Sequence, residues 1–160
     1  MAHLTHVNSS GTVRMVDVTK KTTTTRRARA SGVVAMSREL VEQVRRQALP
    51  KGDLLAVAKI AGIQAAKRTA ELIPLCHPLP LSHVEVQCAV RDDGVAITTT
   101  VQTASRTGVE MEALTAVSVA ALALYDMCKG FDPSMVIRDI RLEEKTGGKQ
   151  PFRREDSRCR

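Results

Sequence analysis

Apolar residues recur along the chain at two spacings, one typical of strands and one typical of helices. Alternation of apolar and polar side chains predicts four strands, over residues 26–36, 82–90, 95–105 and 135–147. Apolar side chains at helical spacing predict three helices, over residues 37–49, 53–72 and 109–129. The predicted order along the chain is therefore β-α-α-β-β-α-β.

Capping residues, prolines and a glycine mark the ends of the predicted helices. Ser37 and Asp53 stand where N-caps belong, directly before the first and second helices. Pro50 ends the first helix, Pro74 ends the second, and Gly130 ends the third. These local signals separate the helices from one another without any tertiary information.

The mixture of strands and helices lacks a regular βαβ repeat, and the turn "RDDG" joins the middle two strands into a hairpin. This order predicts an α+β fold, a two-layer sandwich of ferredoxin-like type with helices packed on one face of an antiparallel sheet. We expect one domain over residues 26–149. A flexible arm, residues 1–25, precedes it and can dock locally through "MVDVT". A basic tail, residues 150–160, is expected to be disordered.

Composition limits the core and the partners. Apolar residues make up 43% of the chain but aromatic residues only 2%, so the core must be aliphatic. The formal net charge of +7 favours an anionic partner: nucleic acid, a membrane surface or a phosphorylated small molecule. The scarcity of aromatic side chains counts against base stacking. A small basic nucleic-acid-binding protein remains the main alternative to an enzyme.

The cysteines and the apolar runs bear on the compartment. No CxxC pair occurs among the four cysteines, Cys76, Cys88, Cys128 and Cys159. Because a chain of this length needs no disulfide, a reducing cytoplasm is expected. The first residues do not resemble a secretory signal. The longest apolar run, residues 113–127, is short for a membrane span and favours a buried helix.

Two lysines are candidates for phosphate chemistry. Lys51 lies between Pro50 and Gly52, before a helix N-terminus that favours anions, although solvated loop lysines are common. Lys67 lies beside Arg68 in the second predicted helix. It either extends to solvent or faces a pocket. Both alternatives stay open from the residues alone.

The long third helix carries acidic and basic residues at both ends. Asp126 and Lys129 are neighbours on one face and form either a surface ion pair or an acid–base pair. Glu112 points within about 40° of Asp126 but lies about 21 Å from it along the helix. If both belong to active sites, they serve different ends of a site or sites shared between subunits. An oligomer is then expected.

The stretch "LIPLCHPLPLSHVEV" places Cys76 beside His77 among prolines. A zinc site needs more ligands at spacings that this chain lacks, so no metal site is expected. Adjacent residues of an extended segment point to opposite sides, which argues against a Cys–His dyad. The segment is then either a rigid connector or a stiff loop that presents His77 to a ligand.

Several long stretches resemble the MoaC family of molybdenum cofactor biosynthesis. They are "MVDVTKK", "KGD", "KIAGIQAAKRTAELIPLCHPLPLSHVEV", "TGVEMEALTAVSVAALALYDMCKG" and "KTGGK", within about residues 4–149. The resemblance implies a ferredoxin-like subunit and a homohexamer, a trimer of dimers, with active sites at subunit interfaces. Neither nucleic acid nor a membrane is then a partner.

Enzymes of this family are cyclic pyranopterin monophosphate synthases. These lyases convert 3′,8-cyclo-7,8-dihydroguanosine triphosphate into cyclic pyranopterin monophosphate with release of pyrophosphate. The resemblance implies the same reaction here, with no required cofactor. Whether Mg²⁺ accompanies the triphosphate stays open. A non-catalytic oligomeric scaffold, in which Asp126–Lys129 is only an interface pair, is a further alternative.

Position within the shared motifs implies the site residues. The resemblance implies that Asp126, Lys51 and Lys129 are catalytic. It implies that residues of the "LCH" and "ME" motifs, and three basic residues, contact the substrate: Leu75, Cys76, His77, Met111, Glu112, Lys67, Lys145 and Arg26.

Overall fold

The structure is a computed structural model and describes residues 6–7, 10–47 and 52–155. Lys51, one of the three residues expected to be catalytic, lies outside the described residues, as do Pro50 and Cys159.

Strands and helices follow one another in the described part of the chain largely in the predicted order, with one additional short helix and one additional short strand. The strands are β1 (Thr24–Ala35), β2 (Leu81–Arg91), β3 (Gly94–Ser105), β4 (Val136–Thr146) and β5 (Phe152–Arg153). The helices are α1 (Arg38–Arg45), α2 (Leu54–Lys67), α3 (Thr69–Leu72) and α4 (Glu110–Cys128).

The strands form one antiparallel sheet in the order β2-β3-β1-β4-β5. The first four strands of this order have the arrangement of a β-α-β-β-α-β ferredoxin-like unit. The hairpin of β2 and β3 closes where Arg91 pairs with Gly94. Helix α4 packs on β1, β3 and β4, while α2 packs on α4 and β2. The predicted α+β sandwich is therefore confirmed.

Both predicted N-caps are confirmed. The Ser37 hydroxyl accepts a hydrogen bond from the Leu40 N–H at 3.4 Å, and the Asp53 carboxylate accepts one from the Ala56 N–H at 3.0 Å. Each side chain satisfies a backbone donor that the first helical turn leaves without a partner.

The second predicted helix is not continuous, which corrects the sequence interpretation. It ends at Lys67, and Arg68 leaves the helical region at φ −111° and ψ 13° before α3 begins. The buried hydroxyl of Thr69 donates to the carbonyl oxygens of Ala65 and Ala66, at 3.3 and 3.0 Å. These carbonyls belong to the last turn of α2, so the Thr69 hydroxyl provides hydrogen-bond donors at the end of that helix.

The end of the chain also differs from expectation. Phe152 and Arg153 pair with Lys145 and Glu144 of β4, so at least these two residues of the expected disordered tail form a strand. The Arg154 N–H also donates to the Glu143 carbonyl at 2.8 Å. The boundaries of the domain, the arm and the tail otherwise remain predictions.

Helix α4 is long and apolar enough to cross a membrane by length and composition, a property that core helices share. Here its inner face is buried against the sheet, with Ala113, Val117, Ala120 and Leu124 all fully buried. The packing agrees with the buried helix that the sequence predicts.

Small residues let α2 and α4 approach closely. A Cβ atom added to Gly62 of α2 would lie 2.9 Å from the Ala116 carbonyl oxygen, 3.1 Å from Val86 Cγ2 and 3.2 Å from Ala120 Cβ. Real Cβ atoms rarely approach backbone atoms so closely. Glycine is therefore required for the present separation of the two helices.

We predict that Gly62→Val lowers the free energy of unfolding by about 1–3 kcal/mol, because overpacking forces the helices apart. Urea denaturation followed by circular dichroism measures this. The matched control is Gly130→Val, since a Cβ atom at Gly130 meets no atom within 4 Å. Equal losses in both variants would contradict the close approach as the cause.

A buried carboxylate ties the start of α1 to the loop after α4. Asp132 accepts hydrogen bonds from the Ser134 hydroxyl, from the Ser134 N–H at 2.9 Å and from the Ser37 N–H at 3.0 Å. The Ser134 hydroxyl and the Ser37 N–H lower the pKa of Asp132 to about 2.

We predict that Asp132→Asn lowers the melting temperature at neutral pH and flattens its dependence on acid. Because the folded pKa lies below the ordinary value of 3.8, the stabilisation is present above that value and is lost as pH falls towards about 2. Thermal denaturation of both proteins across this range tests the prediction. Parallel acid profiles for wild type and variant would refute it.

Candidate active site

A cavity of about 1410 Å³ opens at the end of the sheet where β1 begins and β4 ends. Its other walls are the loop after α3, the first turn of α4 and the N-terminal arm. The volume exceeds that of typical small-ligand pockets, so a nucleotide fits within it. Seven of the residues expected to contact the substrate line this cavity: Arg26, Leu75, Cys76, His77, Met111, Glu112 and Lys145.

The loop after α3 supplies three of these residues and is held at both ends. At its start the Cys76 N–H donates to the Ile73 carbonyl at 3.0 Å. At its end the Thr103 hydroxyl of β3 donates to the Pro80 carbonyl at 2.6 Å. Between these bonds, Leu75, Cys76 and His77 are half-buried. The prolines and these bonds make the segment a stiff edge that faces the cavity.

Cys76 is a poor nucleophile in this setting. Burial raises the pKa of its thiol, and the charge of Glu112 raises it further. The reactive thiolate is therefore disfavoured near neutral pH, in agreement with the argument against a Cys–His dyad.

His77 contacts the N-terminal arm. Its Nε2 atom lies 2.8 Å from the carbonyl oxygen of Val16, and because a carbonyl can only accept, Nε2 carries the donated hydrogen. Val16 belongs to "MVDVT", the stretch expected to dock locally. His77 therefore holds the arm against the cavity, a role that its place beside Cys76 in the sequence did not reveal.

Glu112 is the buried acid of the cavity. The residue is 4% exposed, and burial raises the pKa of its carboxyl group to about 7, with a smaller contribution from the charge of Glu110. A carboxyl group that titrates near neutral pH can both donate and accept a proton there. Its neighbour Met111 is 37% exposed and offers an apolar surface to the cavity.

Arg26 and Lys145 reach the cavity from β1 and β4. Arg26 Nε donates to the Ser105 carbonyl at 3.4 Å, and Lys145 Nζ lies 3.0 Å from the Glu110 carboxylate. Because Glu110 already neutralises Lys145, an anionic ligand would compete with this carboxylate for the lysine.

The structure does not bring every expected site residue into this cavity. Lys67 is exposed at the end of α2 and does not line it. Asp126 and Lys129 lie at the far end of α4, where their side chains form an exposed ion pair of 2.7 Å. The hydrogen bond that Lys129 donates to the Asp126 carboxylate raises the pKa of Lys129, so this contact favours the protonated lysine.

Sequence reasoning missed several residues that line the cavity: Lys20, Lys21, Arg106, Glu110 and Lys149. Four of them lie in quoted motifs, Lys20 and Lys21 in "MVDVTKK", Glu110 in "TGVEMEALTA" and Lys149 in "KTGGK". Their position in the stretches that resemble the MoaC family was an available signal. Nothing in the pattern around Arg106 indicates its place at the cavity.

Across residues 6–7, 10–47 and 52–155, no group of three or more His, Cys, Asp or Glu side chains could hold a metal ion. The residues that line the cavity can bind an anionic ligand through their positive charges, donate hydrogen bonds from the loop and exchange a proton at Glu112.

The sequence model of the MoaC family matches residues 15–148. The chain belongs to the MoaC family. Among curated relatives, the cyclic pyranopterin monophosphate synthase of Streptomyces griseus is 61% identical over 146 residues, which are 91% of this chain and 82% of the relative. The synthase of a Nocardioides species is 58% identical over 149 residues, covering 91% of each chain.

A third MoaC relative carries an additional activity in its name. The molybdenum cofactor biosynthesis bifunctional protein of Chlorobaculum tepidum is 57% identical over 145 residues, covering 91% of this chain but 46% of the relative. These comparisons confirm the family and give no support to the nucleic-acid-binding alternative.

We predict that His77→Ala releases the arm, because the variant lacks the hydrogen bond to Val16. Limited trypsin digestion should cleave after Lys20 or Lys21 about fivefold faster than in wild type, in line with the usual net strength of one hydrogen bond. His83→Ala is the control, since His83 is exposed on β2. Unchanged cleavage in His77→Ala would show that other contacts hold the arm.

We predict that Glu112→Gln stabilises the protein increasingly as pH rises. The folded protein binds the Glu112 proton more tightly than the unfolded chain between pH 4.5 and about 7, so wild-type stability falls across this window. The advantage of the variant should grow through the window and level off above it. Urea unfolding at several pH values measures it, with exposed Glu71→Gln as the control.

Proposed function

We propose that this protein is a cyclic pyranopterin monophosphate synthase in molybdenum cofactor biosynthesis. It converts 3′,8-cyclo-7,8-dihydroguanosine triphosphate into cyclic pyranopterin monophosphate and pyrophosphate. One observation carries the proposal: in a chain of the MoaC family, all the candidate site residues that the structure describes, except Lys67, Asp126 and Lys129, line a single cavity large enough for a nucleotide.

The residue types suit this reaction. The purine rearranges to a pterin, which requires proton donors and acceptors, and Glu112 titrates near neutral pH. A sugar hydroxyl then attacks the α-phosphate, forming one P–O bond while the bond to the β-phosphate bridging oxygen breaks. Pyrophosphate leaves with the growing charge, which lysine and arginine side chains stabilise.

We assign the catalytic roles to Asp126, Lys129 and Lys51, and the remaining substrate contacts to the cavity residues and Lys67. Lys129 lies about 25 Å along α4 from Glu112, too far for one small substrate to contact both within a chain. We therefore propose that a second copy of the chain brings its Asp126–Lys129 end to the cavity, within a homohexamer arranged as a trimer of dimers.

We propose that the reaction takes place in the cytoplasm. Cys76, Cys88 and Cys128 are free thiols, which suits a reducing compartment. The proposal requires no resident cofactor, and Mg²⁺ would enter as the counter-ion of the substrate triphosphate. Chelation with EDTA, which would slow turnover if the ion takes part, tests this point.

Incubation of the purified protein with the cyclised nucleotide, followed by an assay of pyrophosphate release, tests the function directly. We predict that Lys51→Ala, Asp126→Ala and Lys129→Ala each lower turnover by about 100-fold or more, as expected for groups that transfer protons or stabilise charge. Exposed Lys59→Ala should retain activity. If Lys51→Ala and Lys129→Ala stayed folded and fully active, the catalytic assignment would be wrong.

Subunit mixing tests the shared site. Lys129→Ala changes the far end of α4, whereas Lys145→Ala changes the cavity, so a mixed dimer has one site in which both lysines are intact. Because random pairing makes half of the dimers mixed, about a quarter of wild-type activity should return. Mixing Lys129→Ala with Asp126→Ala, which change the same end, should restore none. Failure of the first mixture to recover activity, with subunit exchange demonstrated, would exclude sites shared between copies.

A further inference from the structure

The short strand β5 lies beyond the residues that match the family model. That match ends at residue 148, whereas β5 begins at Phe152. Phe152 pairs with Lys145 and Arg153 pairs with Glu144, at the end of β4 that borders the cavity. The strand therefore meets a candidate substrate-binding residue from outside the family motifs.

β5 changes the position of Lys145 within the sheet. On its other side, this part of β4 pairs with β1, where Lys145 is opposite Ala28 and Glu144 is opposite Arg29. Without β5, the backbone of Lys145 would belong to an edge strand, whose outward N–H and C=O groups lack partners in the sheet. Strand ends with few backbone hydrogen bonds open most easily. Pairing with β5 therefore restrains the Lys145 backbone from the side that β1 does not cover.

Arg154 attaches the strand through both its backbone and its side chain. Its N–H donates to the Glu143 carbonyl at 2.8 Å, and its Nε donates to the Leu142 carbonyl at 3.2 Å. Its guanidinium carbon lies 5.8 Å from the centre of the Phe152 ring, and its Nε lies 3.7 Å from the Glu143 carboxylate. That carboxylate also accepts a hydrogen bond from Ser31 of β1. Arg154 thus connects β5 to β4 and, through Glu143, to β1.

The turn between β4 and β5 forms part of the cavity rim. Residues 147–150 all line the cavity. The Thr24 hydroxyl donates to the Gly147 carbonyl at 2.8 Å, and a Cβ atom added to Gly147 would clash with the Thr25 carbonyl oxygen. β1 therefore holds the start of the turn closely, and β5 holds the chain just after its end.

The same strand also lies beside the Lys145 side chain. Directly opposite residues of antiparallel strands share a face of the sheet, so Phe152 lies on the same face as Lys145. Lys145, Phe152 and Arg154 line one small pocket of about 380 Å³, while Lys145 Nζ reaches Glu110 at the main cavity. The lysine is thus bounded by β5 on one side and by the cavity on the other.

We propose that residues Phe152–Arg154 form a C-terminal clamp that positions Lys145 and the 147–150 turn at the cavity. Phe152 and Arg154 are positioning residues, since they act on the substrate only through Lys145 and the turn. The effect on the substrate rests on the proposed function, whereas the restraint on β4 does not. Loss of the clamp leaves the end of β4 as an edge strand that opens more often.

Hydrogen exchange measures the restraint without any substrate. Arg154→Pro removes both the N–H donor and the side chain, and Phe152→Ala removes the ring. Each should speed amide exchange in residues 144–150 by about threefold or more and leave exchange in α4 as in wild type. Glu155→Pro is the matched control, because the Glu155 N–H makes no hydrogen bond with the described residues. Phe152→Tyr keeps the ring and should match wild type.

Kinetics with the cyclised nucleotide show whether the clamp acts through Lys145. Arg154→Ala and Phe152→Ala should each raise KM about threefold to tenfold and keep kcat within about twofold, whereas partial unfolding would lower kcat and leave KM unchanged. Arg153→Ala should change neither, since this exposed side chain makes no hydrogen bond or ion pair with the described residues. In a Lys145→Ala background, Arg154→Ala should raise KM no further.

The outcomes separate this inference from the proposed function. If the wild type turns over the nucleotide while the Arg154 and Phe152 variants match it in exchange and in KM, the clamp is wrong and the function stands. If the wild type shows no turnover but these variants exchange faster in residues 144–150, the function is wrong and the restraint on β4 stands. Faster exchange with an unchanged KM, or an undiminished rise in KM in the Lys145→Ala background, would overturn the positioning role.

Discussion

The close contact between α2 and α4 determines where the parts of the cavity can lie. Gly62 lets the backbone of α4 approach α2, and on the other side of α4 a Cβ atom at Gly32 of β1 would lie 3.1 Å from Val117. The helix is thereby fixed between its partner helix and the sheet. Because α2 and α3 lead into the Cys76–His77 loop, the same contact sets the distance from that loop to Glu112.

Some basic residues outside the cavity form ion pairs, while others, such as Arg38, Lys59 and Arg91, form none with the described residues. Away from the cavity, arginines such as Arg27 and Arg138 have acidic partners, and these exposed pairs contribute little to stability. Around the cavity, burial keeps Glu112 from ionising fully at neutral pH, and Lys20, Lys21 and Arg106 remain unneutralised. The net charge of the chain is therefore spread over paired and unpaired residues, and it does not by itself identify the ligand.

Local chemistry explains what the sequence could predict. Ser37 and Asp53 cap helices through bonds that span three residues, and Asp126 and Lys129 meet because helical geometry places them together. The break at Arg68 escaped prediction because Thr69 stabilises it through a buried hydroxyl, and no proline or glycine marks it. The pairing of β5 with β4 likewise depends on an edge strand that no local pattern reveals.

The candidate site was predictable as a set of residues but not as an arrangement. Shared motifs identified Lys145 and His77, whereas their contacts with Glu110 and Val16 join positions 35 and 61 residues apart. Such contacts follow from the strand order and the docked arm. The separation of Glu112 from Asp126 was predictable, by contrast, because both lie in one run of helical spacing and helical geometry fixes the distance along it.

Helix α4 also limits which insertions and deletions the sequence can tolerate. Glu112 and Asp126 are separated by fourteen residues of continuous helix, nearly a whole number of turns, so both face similar directions. One inserted or deleted residue between them would rotate one end by about 100° relative to the other. Length changes should therefore accumulate in the turn at Asp92–Asp93 or in the tail, while the interval within α4 stays constant.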